Sequence, residues 1–434
     1  MPQPADIAHL LRRAGFGGSA TQIATLASQP WPTTVDQLLD FSAAPADTEP
    51  AFLTADIGDW EKEYQLQHWW LDRMATTTTP LQEKLTFFWH GHFATANYKV
   101  TDMRLMYLQN ALFRLMAAGD FRVLVQQMSV QPAMLLWLDN DPNSKGHPNE
   151  NFARELMELF TIGVGNYTQA DIVASARAWT GHNTLDGDRT QYHFYPSRHD
   201  DGLKTFMGVT QNWDGPGIID FLLRDDATRR GIAARYMATK MWAFFAYPNP
   251  DDTIVTTLAD AFLAADLSVA ELVRTIFNHP AFLSAAAKQG LVRSPVEWIV
   301  ACMRAVNLTA ADANPQWWME EMGQQLFEPP NVSGWRPNEY WLTTSRVWAR
   351  ANWSRYIIWQ NGVGNTLSAI TGMTVPNAVQ YAFDTLGVDS PSNHTRTNLE
   401  TWLTAQRAAP NTWVNWSFIN LLTLVMLSPE FNLA

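Results

Sequence analysis

Apolar side chains return at three- and four-residue spacing in segment after segment of this chain, a period that fits helices and leaves little room for a large sheet. The sharpest case is Asn149-Glu150-Asn151-Phe152-Ala153-Arg154-Glu155-Leu156-Met157-Glu158-Leu159-Phe160-Thr161-Ile162-Gly163. Phe152, Leu156, Leu159 and Phe160 make one apolar stripe, Pro148 and Asn149 offer a start, and Gly163 and Gly165 offer a stop. Glu155 and Glu158 stand three apart on a face that borders this stripe. Two carboxylates at a core boundary must be compensated by a cation, a hydrogen-bond network or a metal. A buried ion pair with Arg154 or another arginine is the plain structural answer.

The rest of the chain reads the same way. Ser19 caps a helix after the glycine-closed end His9–Gly17, and Pro80 opens a helix running to Phe93. Further helices are expected over 59–74, 102–118, 121–128, 133–138, 169–179, 218–223, 227–245 and 317–326. Ser294-Pro295-Val296-Glu297 is a capping box that opens a helix to Val306. Gly181 to Gly208, rich in Asp, Gly and His, breaks the pattern and predicts a long loop with room for a small hairpin. The fold class is therefore all-α: one compact multi-helix domain over residues 1–434 with that single irregular insertion.

Composition narrows the function. With 47% hydrophobic and 17% charged residues the chain can bury a large core, and its 20 tryptophans imply an aromatic-rich interior or a wide apolar cleft. The net charge of −12 and the lack of a basic run argue against nucleic acid. One cysteine, Cys302, excludes an internal disulfide framework. The start, Met1-Pro2-Gln3-Pro4-Ala5-Asp6, lacks the charged and apolar regions of a signal peptide, so a cytoplasmic location is expected. Ala408 to Pro429 carries no formal charge, yet Asn411, Thr412, Asn415, Ser417, Asn420 and Thr423 make a buried core helix the better reading than a membrane span.

Five stretches in order resemble the bacterial DUF1800 family of helical proteins: His9–Gly17; Phe88-Trp89-His90-Gly91-His92-Phe93-Ala94-Thr95; Pro148–Gly165 with Asn166-Tyr167-Thr168; His199-Asp200-Asp201-Gly202-Leu203-Lys204-Thr205-Phe206; and Pro329-Pro330-Asn331-Val332-Ser333-Gly334-Trp335. The closing Ser428-Pro429-Glu430-Phe431 matches as well. The resemblance implies a helical fold and brings no settled chemistry. Family members usually carry Gly-Trp where this chain has Gly181-His182, which makes His182 a variant feature.

Chemistry has to come from the residues. His90, His92, His182, His193 and His199 lie in stretches flanking the central helix. Neutral imidazoles joined by Glu155, Glu158 or Asp200 suit iron, copper or zinc, and two or three histidines leave an open position for water, oxygen or substrate. On a continuous helix His90 and His92 would point about 200° apart, wrong for one ion, whereas an unwound end at Gly91 would let both bind. HExxH and Glu-x-x-His motifs are absent, as are GxGxxG, P-loop and GxSxG stretches. A solitary histidine on an apolar face is usually a hydrogen-bonded structural residue. Three readings follow, all with an unidentified small-molecule or peptide substrate or partner. The first is an iron- or copper-dependent oxidase or hydroxylase with His90, His92, His199 and Glu155 as ligands and Glu155, Glu158, Asp200 and Arg154 in catalytic roles. The second is a zinc hydrolase on the same residues. The third is a non-catalytic scaffold whose motifs are buried polar networks. Arg154, Arg177, Arg198 and Lys204 are candidates for an anionic group, and the Pro329–Trp335 segment for a rigid wall presenting Asn331 and Trp335.

Overall fold

Side-chain caps fix where the helices begin. Ser19 Oγ accepts from the Gln22 amide before the helix Ala20–Ala27. Ser294 and Glu297 bond reciprocally ahead of Pro295–Val306, and Thr168 and Asp171 do the same ahead of Gln169–Ala178. Pro80 takes the first position of Pro80–His92, where its missing N–H costs nothing. The computed structural model describes residues 1–359, 370, 372–409 and 414–434, without the side chains of 359 and 414–418.

These helices pack into a mainly α architecture. Pro80–His92 lies against Asp59–Thr76 and Met103–Leu115, and Ala227–Phe245 against Asp252–Ala264 and Val269–Asn278. Thr344–Trp359 meets Val414–Met426 near the end of the chain. One contiguous cluster of buried apolar side chains runs from Leu10 to Phe431. Trp70, Trp89, Trp179, Trp242, Trp298 and Trp353 sit fully inside it, so the tryptophans are largely interior furniture. The irregular region is two antiparallel hairpins, His182–Leu185 with Asp188–Phe194 and Lys204–Phe206 with Val209–Gln211. The second turns through Met207 and Gly208, both at positive φ, as a tight hairpin requires.

Two expectations need correction. The helix read over 317–326 is Gln316–Glu321 only: Gly323 takes φ +85 and turns the chain away. The central helix is regular only over Glu150–Glu155, then widens into a π-turn, Leu156–Thr161. There the Ile162 amide reaches back five residues to Met157 O at 3.1 Å, and Thr161 Oγ1 donates to Leu156 O at 2.5 Å. The carbonyls of Leu159 and Phe160 are left for partners outside the helix. Of the residues weighed against a membrane span, Asn411, Thr412 and the side chains of Asn415 and Ser417 lie outside the described residues. In the helix Val414–Met426, Leu421, Leu422, Val425 and Met426 are buried. Among the described residues no helix is long and apolar enough to cross a membrane.

Candidate functional site

The Pro80–His92 helix continues through Gly91, so its two histidines face apart. His90 Nε2 accepts from the Phe327 amide at 3.1 Å among the rings of Trp70, Phe327 and Trp335, and burial lowers its pKa to about 3. His92 Nε2 donates to Phe160 O, a carbonyl freed by the π-turn, at 3.1 Å. His199 Nδ1 donates to Thr180 O at 2.8 Å, with its ring centroid 6.4 Å from that of His182. His182 in turn bonds Tyr192 OH at 2.9 Å, and His193 stacks edge-on against Tyr195. Glu155 is half-buried on the central helix, its pKa raised by burial and then by Glu158, while Glu158 accepts from Tyr167 OH. Among the described residues no three His, Cys, Asp or Glu side chains are grouped so that they could hold a metal ion. His90, His92, His199 and Glu155 thus do not form one donor set, and no step through a metal is derived from them.

The remaining candidates each have a partner within the protein. Arg154 pairs with Glu150 at 3.1 Å rather than with Glu155 or Glu158. Asp200 receives Arg177 through two bonds of 2.6 and 3.2 Å and lies below the ordinary carboxylate range because of that hydrogen bonding. Arg198 meets Asp186 at 2.5 Å, and Lys204 Nζ donates to Gly202 O, Asn212 Oδ1 and Trp213 O. Asn331 turns back to accept from the Ser333 amide. On the Pro80–His92 helix, Glu83 accepts from Trp70, Arg73 and Arg114, a closed network of the kind that holds helices in register.

Several of the quoted motifs converge elsewhere, on a cavity of about 300 Å³. Its apolar wall is Phe87, Phe88, Phe244, Trp335 and Trp341, and its polar side carries Arg12, Arg13, Lys84, His92, Lys240 and Glu297. The Pro329–Trp335 loop reaches it by pressing on the histidine helix. At Gly334, with φ +76, a Cβ would stand 2.6 Å from Gly91 O, so only glycine closes this contact. Gly163 is as constrained: φ +79, with its Cβ position 2.9 Å from the Tyr236 ring. Tyr236 OH donates to the freed Leu159 carbonyl at 2.7 Å, which carries the π-turn to the cavity's Lys240 one helical turn further on.

The charge on this wall is unbalanced. Lys84 bonds Glu297, whose acidity burial opposes and Lys84 more than restores, and Arg12 pairs with Asp389. Arg13 is buried and donates only to the carbonyls of Ala246 and Ala287, and burial brings its pKa down to about 9. Lys240 has long hydrogen-bond contacts of 3.4 Å to Leu159 O and Tyr236 OH and stands 5.2 Å from the Tyr236 ring centroid, and burial lowers it to about 8. Neither Arg13 nor Lys240 forms an ion pair, and every Asp and Glu of the sequence lies among the described residues. Because His92 Nε2 holds the proton it gives Phe160 O, the unpartnered Nδ1 offers a lone pair. Burial, then Lys240, keep this imidazole neutral.

Arg13, Lys84, Lys240 and Glu297 were not singled out from sequence as site residues. Their signal is a cation at a position the apolar stripe should own. Lys84 falls among Leu81, Leu85 and Phe88, and Lys240 among Met237, Met241 and Phe244. Compared with known proteins, the chain matches over residues 9–433 a family model described as "Protein of unknown function (DUF1800)". No curated protein and no solved structure matches it.

Proposed function

This chain belongs to the DUF1800 family, and since that membership carries no chemistry, we propose from its own cavity that it binds an anionic amphiphile, an aromatic or aliphatic body bearing a carboxylate, sulfonate or phosphate. The observation that carries this reading is the pair of cations, Arg13 and Lys240, neither of them ion-paired, on a cavity whose one lining carboxylate, Glu297, is bonded to Lys84 and whose opposite wall is aromatic. A buried charge without its counterpart is costly, and a ligand anion is what would repay it. The volume of about 300 Å³ suits a small ligand. Arg13 and Lys240 would take the anionic group, Phe88, Phe244 and Trp335 the apolar body, and His92 Nδ1 would accept from a hydroxyl or amide of the ligand. If the bound compound is also transformed, Lys240 and His92 are the groups with a lone pair to offer.

The test is fluorescence titration with 8-anilinonaphthalene-1-sulfonate, beside the uncharged N-phenyl-1-naphthylamine. The sulfonate should bind at one site, and R13M or K240M should weaken it by about tenfold, the worth of one charge-assisted contact. The uncharged probe should bind both variants as it binds the parent. Equal loss of both probes, or none of the sulfonate, overturns the reading. His90→Ala, which removes a ring behind Trp335 rather than a lining group, should leave the charge preference intact.

A further inference from the structure

A second cavity, of about 80 Å³, opens where the loop Phe16–Ser19 meets the helix Pro295–Val306 and the turn Thr385–Gly387. Two arginines line it, Arg293 and Arg304. Arg293 is 6% exposed, its Nη1 has no hydrogen-bond partner, and its guanidinium rests on the Phe431 ring at 4.6 Å. Arg304 donates through Nη1 to the carbonyls of Met74 and Ala75. Among the described residues neither forms an ion pair. The carboxylate that acts on Arg293, Glu297, is already bonded to Lys84. Burial draws Arg293 down to about 10, so it stays charged near neutrality.

Two lining glycines sit at turns: Gly17 has φ +102 with its Cβ position 4.0 Å from Arg293 Nη2, and Gly387 has φ +66 with its Cβ position 2.6 Å from Gly18 O, so that turn closes only with glycine. Ser19 caps the eight-residue helix Ala20–Ala27, whose positive end adds to the field of the two guanidiniums. A space of this size holds two or three waters' worth of volume, about that of one tetrahedral oxyanion. Two forked donors around such a space are the arrangement that recognises phosphate.

We propose that this cavity is an oxyanion site that takes a phosphoryl group between Arg293 and Arg304, independently of whatever fills the larger cavity. Phosphate and a phosphomonoester share this chemistry, and the experiment separates them. Thermal unfolding of the full chain is followed against inorganic phosphate, with sodium chloride holding ionic strength constant. The melting temperature should rise with the logarithm of phosphate concentration above the Kd, by about 2 °C at ten times the Kd. R293M and R304M should lose that rise, and R293M in phosphate-free buffer should melt no lower than the parent, because it removes a buried charge that nothing balances. Glycerol 1-phosphate giving the same rise would make the site a grip on part of a larger ligand; a rise with phosphate alone would make it a site for the free ion. A shift that chloride reproduces, or that survives in both variants, overturns the proposal. Should R293M not fold, phosphorus-31 line broadening on the parent decides: saturation at one equivalent supports the site, and an unbroadened line refutes it.

Discussion

Lys240 works against the fold for the sake of the cavity. Its folded pKa of about 8 lies below the ordinary 10.5, so between these values the unfolded chain holds the proton more tightly. Its cost to stability is therefore present in full below pH 8 and fades as pH rises toward 10.5. K240M should unfold at a higher temperature than the parent at pH 7, and the gap should close by pH 10.5; a gap that does not depend on pH would mean the lysine is satisfied where it sits. Sulfonate binding should run the opposite way, weakening in the parent as pH rises through 8 while K240M stays flat. A buried cation without an ion-pair partner beside a cavity is the feature on which a site differs from a scaffold. Arg293 and Arg13 are buried in the same way, one in each cavity.

Among the elements, helix starts were legible because each is written locally: Ser19, Asn149 and Ser294 all cap where the sequence places them. The π-turn was not, because Leu156–Thr161 keeps an ordinary apolar stripe and the open carbonyls at its end meet partners distant in sequence, His92 and Tyr236. The two hairpins were half legible: the composition of 181–208 said irregular, but pairing of His182 with Phe194 is a register that only the fold sets. Gly91 and Gly334 touch and should respond oppositely to the same change. A Cβ on Gly91 meets nothing within 4 Å, so G91A should stabilise the helix by up to about 0.5–1 kcal/mol, and G91L, reaching into the cavity, should cut sulfonate affinity without unfolding the chain. G334A, at positive φ and against a backbone oxygen, should cost more than about 1 kcal/mol. Chemical denaturation of the three variants checks the stabilities and sulfonate titration of G91L the affinity, and a destabilised G91A would show that the space beside Gly91 is not open.

Across the whole molecule, the family resemblance and the helical class could be read from the chain, and of the cavity one wall, Trp335 on the Pro329–Trp335 segment. The rest of its lining is drawn from Arg12, Lys84, Lys240 and Glu297, positions that no local pattern joins, and the conspicuous histidine spacing pointed instead to residues that the continuous helix holds apart. The main apolar cluster spans Leu10 to Phe431, and the small second one, Ile7, Ala8, Leu11, Ile23 and Leu26, lies on two helices of which Pro4–Arg13 also gives Leu10 to the first. Calorimetry should therefore show a single transition whose van't Hoff and calorimetric enthalpies agree, and two resolved transitions would divide residues 1–434 into separate units. Timing is another matter. At about 5–20 residues per second a ribosome needs on the order of ten seconds or longer to pass from Lys84 to Glu297, the carboxylate that neutralises it, and longer still to reach the loop that seals Gly91. Throughout that interval a nascent chain carries an unneutralised ammonium beside Phe87 and Phe88 with no lid above them, and this half-built wall is the surface on which a holding chaperone would first take grip.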